Sequence, residues 1–287
     1  MRVWLAFVAI CIIWGTPYFF IKHALNEVSP VWVAWGRLVC ASLLLVPVAI
    51  WRGQFFQMFR HWRIIATFAF VELVGPFYLI ALGERWVSSS LAGILLAGVP
   101  LLVVVVAPLV GVHERVGPRR LLGLATGLLG VIALLGLDTI QDSQGWVGAA
   151  CVLIAAVGYA IGPLIVQKHL AGVETLGIVA ASVAFGATVL TIPALFTAPA
   201  AVPSVVAFGS VAMLGILCTA LGLLLFVYVI SNAGASRAAI VTYVNPAVAL
   251  ALGVFLLDEH FGVGPAVGMA LILLGSWLAT GGSKSAH

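Results

Sequence analysis

The stretch WGTPYFFIKH, residues 14–23, returns as AIGPLIVQKH at residues 160–169. In both copies a proline stands five residues before a Lys-His pair, so Pro17 maps to Pro163, Lys22 to Lys168 and His23 to His169 at an offset of 146. The same offset carries Pro47 to Pro193, Pro100 to Pro246, and Ser90, Ala92 and Ile94 to Ser236, Ala238 and Ile240. Three proline pairs at one spacing divide the chain into two homologous halves, 1–138 and 145–287, with proline-marked helices in matching places.

Composition sets the solvent. Hydrophobic residues make up 63% of the 287 and charged residues 8%, against about 45–50% and about 25% in a soluble domain. A chain this apolar needs the bilayer around it, where every backbone polar group must be satisfied internally. Continuous apolar runs of about 18–25 residues, rather than short alternating strands, select an all-α bundle over a β-barrel. The net charge of +4 is not a nucleic-acid footprint, because the basic residues lie between apolar runs. Cys11, Cys40, Cys151 and Cys218 each fall within a span, form no C-x-x-C pair and are expected as buried, unbridged thiols. The first apolar run is expected to be retained as a span, not cleaved as a signal peptide.

Ten spans can be drawn, roughly 3–21, 31–51, 64–83, 89–111 and 120–137, then roughly 146–166, 176–196, 205–230, 238–257 and 264–281. Five spans per half is odd, so the second half enters the membrane inverted. With the N-terminus inside, ten Lys and Arg residues fall in cytoplasmic segments, two (Lys22 and Arg85) in outer connections, and Arg37 within a span. This positive-inside bias places both termini in the cytoplasm of a multi-pass inner-membrane protein. Gly123, Gly127 and Gly130 in span five, Gly158 and Gly162 in span six, and Gly264 and Gly268 in span ten have the small-residue spacing that lets helices approach closely. Packing within one chain, hence a monomer, is the expectation.

The polar chemistry is sparse. All six histidines fall at span ends, in loops or in the tail. The chain carries no H-E-x-x-H metal motif, no G-x-S-x-G and no phosphate loop. No metal, cofactor or enzymatic activity is expected. Of the charged residues only Glu72 and Arg37 lie well inside spans, and an intramembrane charge costs at least about 2.5–3.5 kcal/mol. Counting about 1.5 Å per residue, the two can approach in depth. Two readings stay open: a buried Glu72–Arg37 ion pair joining spans two and three, or a Glu72 that binds a proton or a substrate ammonium. Tyr78, Tyr159 and Tyr243 lie deep, where a phenol needs a polar partner. Trp14 is also deep, while Tyr18 is nearer a span end. Asn245 precedes Pro246, so an amide and a freed carbonyl can face a cavity or bond a neighbouring helix. Ser88-Ser89-Ser90 is expected to cap span four.

With these residues placed, the chain resembles the drug/metabolite transporter superfamily, with two EamA-type five-helix repeats. Trp14-Gly15 is similar to that family's opening motif. Glu114-Arg115 before Gly123, Gly127 and Gly130, and Asp258-Glu259 before Gly268 and Gly275, resemble its glutamate closing a fourth helix ahead of a glycine-rich fifth. The second copy departs in carrying His260 where the first has Arg115, and it has no Trp-Gly opening span six. The resemblance implies a central cavity lined by spans one, three, four, six, eight and nine. Carried over by position, Trp14, Tyr18, Glu72, Tyr78, Tyr159, Tyr243 and Asn245 would face it. Some family members export amino acids, aromatic ones among them.

The expectation is a secondary transporter that moves small organic solutes, most of all amino acids in the export direction, by alternating access. Pro17, Pro47, Pro100, Pro163, Pro193 and Pro246 are the candidate hinges, because each weakens a helix at a matched depth. A passive channel or uniporter for small metabolites or drug-like amphipathic compounds is the alternative. The small-molecule substrate and the lipid bilayer are the expected partners.

Overall fold

The computed structural model describes residues 2–111, 117–136, 143–233, 241–260 and 262–280. The Glu114-Arg115 motif, the polar join before residue 143, Ser236 to Ile240 and the C-terminal tail lie outside them, as does the side chain of Tyr243.

Among the described residues every regular element is helical. The first half contains α1 (Arg2–Gly15), α2 (Pro17–Ala24), α3 (Pro30–Trp51), a 3₁₀ turn (Phe56–His61), α4 (Trp62–Phe68), a π-helical segment (Ala69–Val74), α5 (Gly75–Gly83), α6 (Ser89–Leu96), α7 (Val99–Leu109) and α8 (Pro118–Gly136). The second contains α9 (Ser143–His169), α10 (Thr175–Phe196), α11 (Val205–Met213), a second π segment (Leu214–Leu221), α12 (Gly222–Ala233), α13 (Val241–Leu256) and α14 (Val263–Thr280).

Six continuous helical stretches are long and apolar enough to cross a bilayer: Val3–Ala24, Pro30–Trp51, Phe56–Gly83, Ser143–His169, Thr175–Phe196 and Val205–Phe226. They coincide with predicted spans one, two, three, six, seven and eight. Predicted span four is not straight: α6 and α7 meet at a 44° bend. The break lies at Ala97-Gly98, just ahead of Pro100, which has no N–H to continue the ladder. The proline pairs differ between the halves. Pro17 and Pro100 open new helices after a break, whereas their counterparts Pro163 and Pro246 lie inside α9 and α13. Pro47 and Pro193 both lie inside helices, near their C-terminal ends.

The bundle is held by pairs that join the halves. The principal contacts are α8 with α14, α3 with α10, α5 with α9, α6 with α13, and α1 with both α12 and α13. Where α8 meets α14 the backbones touch. A Cβ on Gly275 would meet the N and Cα of Gly127, and one on Gly130 would meet Ile272 N and Gly268 O. These glycines therefore seal an interface within the chain. The core centres on Ile21, Ile94, Leu95, Leu134, Leu214 and Ile272, each at most 2% exposed. Leu43, Leu109, Leu121, Leu122, Phe196 and Val205 point outward and are more than 60% exposed, an apolar jacket that lipid covers. All four cysteines are free thiols.

The connections sort to two ends. At one end Glu27 accepts from the N–H of Ser204 at 2.6 Å and its hydroxyl at 2.5 Å, and the Ser29 hydroxyl donates to Thr197 Oγ1 at 3.1 Å. Here too Lys22 donates to Glu84 O at 2.8 Å and Val87 O at 3.1 Å, and Glu259 accepts from Ser89 and Ser90. At the other end Lys168 donates to Val110 O at 2.9 Å, and α10 begins against Gln54 O and Met58. Both lysines of the repeated Lys-His pairs thus hold carbonyls at helix ends, where the last turn leaves acceptors unpaired.

Candidate substrate cavity

A cavity of about 320 Å³ lies between the halves. Its walls are Trp14, Pro17, Tyr18 and Ile21 of α1 and α2, Arg37 of α3, and Glu72, Leu73, Phe77 and Ile80 of the third span. Gly93, Leu96, Ala97 and Val99 line it at the α6–α7 bend; Tyr159, Pro163, Cys218, Thr219, Leu223, Phe226, Asn245 and Pro246 close it from the second half. Of the residues singled out from sequence, Trp14, Tyr18, Glu72, Tyr159 and Asn245 line this space, with the prolines Pro17, Pro163 and Pro246.

Tyr78 does not. It packs on the cluster of Leu38, Leu73, Val74 and Phe77 instead. Phe77 and Ile80 lie three residues apart on the cavity face of α5, and Tyr78, about 100° around from Phe77, is turned off that face. Pro47, Pro100 and Pro193 are not among the lining residues either.

The π segments place the polar groups. Ala69–Val74 carries Glu72 and is followed by Pro76, which cannot donate to the Glu72 carbonyl and whose ring would clash with it in a regular helix. The backbone widens instead, as at many functional sites. The segment packs closely on α9: a Cβ on Gly158 would strike Val71 O, and one on Gly162 would strike the Glu72 carboxylate. Oε2 of Glu72 is buried and has no hydrogen-bond partner among the described residues.

Leu214–Leu221 carries Cys218 and Thr219. Thr219 donates to Leu214 O at 2.9 Å, five residues back, and accepts from Arg37 Nε at 2.7 Å. Trp14 Nε1 donates to Cys218 O at 3.0 Å, and the Thr16 hydroxyl lies 3.4 Å from Cys218 Sγ. Gly222 leaves room for the Trp14 indole. Arg37 is 8% exposed, with its guanidinium carbon 3.6 Å from the centroid of Phe77, a cation–π contact that holds the group once desolvated. Its terminal nitrogens make no hydrogen bond to any described residue.

No ion pair joins Arg37 and Glu72 among the described residues, which removes the paired reading of these two charges. They face one cavity from different walls, and Tyr159 lies within electrostatic range of both. Asn245, with its amide nitrogen turned to the carbonyls it faces, donates to Val241 O at 3.0 Å and Cys11 O at 3.2 Å. It ties α13 to α1 at the cavity wall. Thr219, Phe77 and Phe226 line the cavity without being singled out by the sequence, and Cys218, expected only as a buried thiol, lines it too. One signal was present: the offset of 146 maps Glu72 onto Cys218.

A model of the EamA-like transporter family matches residues 1–136 and 146–281. The chain belongs to the EamA-like transporter family. It is similar to the uncharacterized inner membrane transporter YedA of Escherichia coli strain K12, 28% identical over 251 residues, 86% of this chain and 80% of YedA. The uncharacterized transporter YoaV of Bacillus subtilis is 22% identical over 284 residues, 98% of this chain and 97% of YoaV. A protein crystal structure 18% identical to this EamA-like chain superposes with a TM-score of 0.67, covering 97% of this chain and 96% of the other, so the two share a fold.

Proposed function

We propose that this EamA-family protein is an inner-membrane carrier that exports amino acids, aromatic ones included, by alternating access. Its ten spans form two inverted five-helix repeats, 1–138 and 145–287, with both termini cytoplasmic. Support for this count comes from the six continuous stretches and the bent α6–α7 pair, up to seven spans, with α8, α13 and α14 read as the other three. The inversion draws support from the connections. The one after span one meets the one after span seven through Glu27–Ser204, and the one after span three meets the one after span nine through Ser89–Glu259. Two halves of five spans in the same orientation would instead put the connections after spans one and six at one end. The name of YedA supports the inner membrane.

The observation that carries the substrate class is the pair of separated charges in an aromatic cavity. A zwitterionic α-amino acid brings its ammonium to the Glu72 carboxylate, whose Oε2 has no partner among the described residues, and its carboxylate to the terminal nitrogens of Arg37. Its side chain lies against Trp14, Tyr18, Tyr159 and Phe226. Burying either charge alone costs several kcal/mol; a zwitterion neutralises both at once. The breaks before Pro17 and Pro100 give two walls of this cavity a place to bend.

Flux of labelled amino acids in proteoliposomes tests this reading. Saturable transport with trans-stimulation is expected; absence of uptake and efflux across a broad amino-acid panel overturns the substrate class, and flux without trans-stimulation indicates a pore.

A further inference from the structure

At the Lys22 end, the outer one in the proposed orientation, the first half is latched to the second. Glu259 accepts from Ser89 N at 2.7 Å, Ser90 N at 3.0 Å and the Ser90 hydroxyl at 2.5 Å, and so caps the start of α6 from across the bundle. The approach is close: a Cβ on Gly253 would strike both Ser90 Oγ and the Glu259 carboxylate. Ser88 completes the cap by accepting from Leu91 N at 3.1 Å, as expected of that serine run.

Beside this latch sits Glu84, just past the end of α5. It is 0% exposed, and neither carboxyl oxygen has a hydrogen-bond partner among the described residues. Lys22 and Glu259 lie within electrostatic range, yet Lys22 directs two of its three N–H donors to the Glu84 and Val87 carbonyls. On the cavity side Tyr18 lies within range of Glu84 as well, and on α9 the Cβ of the buried Cys151 lies next to Gly83. The neighbouring Arg85 is exposed and lies over Trp86, and His23 is turned to Phe19 of its own helix. Among the described residues no cation pairs with the Glu84 carboxyl. Burial pushes its affinity for a proton well above that of an ordinary glutamate, Lys22 opposes this and Glu259 adds to it.

We infer that Glu84 is a proton-binding site of the outer gate, protonated while the Glu259–α6 latch is closed and ionised when the latch opens. On opening, the O–H bond of the Glu84 carboxyl breaks, the proton passes to outer water, and the hydrated carboxylate stays beside Lys22. On closing, a proton from the outer side returns. The closed form binds the extra proton, so its stability is fully present below the ordinary glutamate range and declines as pH rises toward the raised value. An acidic exterior therefore favours closure, which makes the outer gate of the carrier responsive to outer pH. The cavity charges Glu72 and Arg37 take no part.

Hydrogen–deuterium exchange on the full chain in lipid nanodiscs tests this without any substrate, so it stands or falls apart from the amino-acid reading. The amides of Ser89 and Ser90 are followed between about pH 5 and pH 9, the span between ordinary and buried glutamates, with correction for the intrinsic pH dependence of exchange. Wild-type protection should fall as pH rises. Glu84→Gln, neutral at every pH, should keep it throughout. Lys22→Gln, which retains donors for the two carbonyls but loses the charge, should move the midpoint up by about one unit. A flat wild-type profile, or a wild-type midpoint in Glu84→Gln, overturns the proposal. If Glu84→Gln does not fold, an unmoved midpoint in Lys22→Gln does so.

Discussion

Removing one cavity charge should change which part of an amino acid the protein recognises. In Glu72→Gln the carboxylate becomes an amide of nearly the same shape, and a substrate ammonium loses a charge-assisted hydrogen bond worth about 1.5–3 kcal/mol. That is a loss of about 10–150-fold in affinity. Arg37→Met removes the opposite contact and should cost a substrate carboxylate a similar factor. Phe77 stays as a wall and Thr219 keeps its bond to Leu214 O. The assay is competition against labelled L-phenylalanine by phenylethylamine, which lacks the carboxylate, and by 3-phenylpropionate, which lacks the ammonium. Wild type should favour the amino acid over both. Glu72→Gln should lose its preference over 3-phenylpropionate and keep that over phenylethylamine, and Arg37→Met should do the reverse. Equal weakening of all three ligands in both variants would refute the two-charge site, because a general distortion of the cavity cannot sort ligands by the charge they lack.

The remaining expectations follow from single contacts. Thr219→Val strips the buried Arg37 Nε of its acceptor and should lower stability by about 1–3 kcal/mol, seen as a fall in Tm in detergent. Gly162→Ala puts a methyl group against the Glu72 carboxylate and should weaken amino-acid binding with little change in Tm, the shorter Glu72→Asp restoring part of the affinity. Gly275→Val forces the touching α8 and α14 backbones apart and should cost about 1–3 kcal/mol, read by thermal unfolding. The two bonds from Ser204 hold the Glu27 carboxyl below its usual range. Its contribution is therefore present above the ordinary value of 4.5 and lost as pH falls through the lowered one. Thermal unfolding on acidification should show that loss in wild type and a shallower one in Glu27→Gln.

Much of this molecule was legible because two strong rules act on it. Apolar runs and flanking charge gave spans that the six long helices match, and an intramembrane carboxylate is rare enough that Glu72 stood out. The rest depended on helix phase. Depth and the family resemblance together point Tyr78 at the cavity, and neither says which way a side chain faces. Phase in that span is reset by the π segment Ala69–Val74, so no count of 3.6 residues per turn from its start reaches Phe77 and Tyr78 correctly. The Glu72–Arg37 pair failed for a related reason. Arg37 finds Thr219 of span eight and the face of Phe77, partners remote in sequence or lacking a charge.

The two π segments also explain how a repeated chain comes to hold an unsymmetrical ligand. Ala69–Val74 and Leu214–Leu221 overlap under the offset of 146, so the backbone distortion is common to both halves while its side chains are not. Where the first presents Glu72, the second presents Cys218, and its Thr219 fixes the Arg37 guanidinium. A carboxylate on both would set two like charges at one cavity, a pairing that ordinarily leaves one of them protonated. With the second carboxylate replaced and an arginine brought in from α3, the cavity carries one anion and one cation on separate walls. That arrangement gives a zwitterion a preferred direction in a bundle whose backbone has none. Cys218→Glu should therefore do more than add a charge: by offering Arg37 a carboxylate within its own wall, it should abolish discrimination against phenylethylamine in the same competition assay while leaving Glu72 in place.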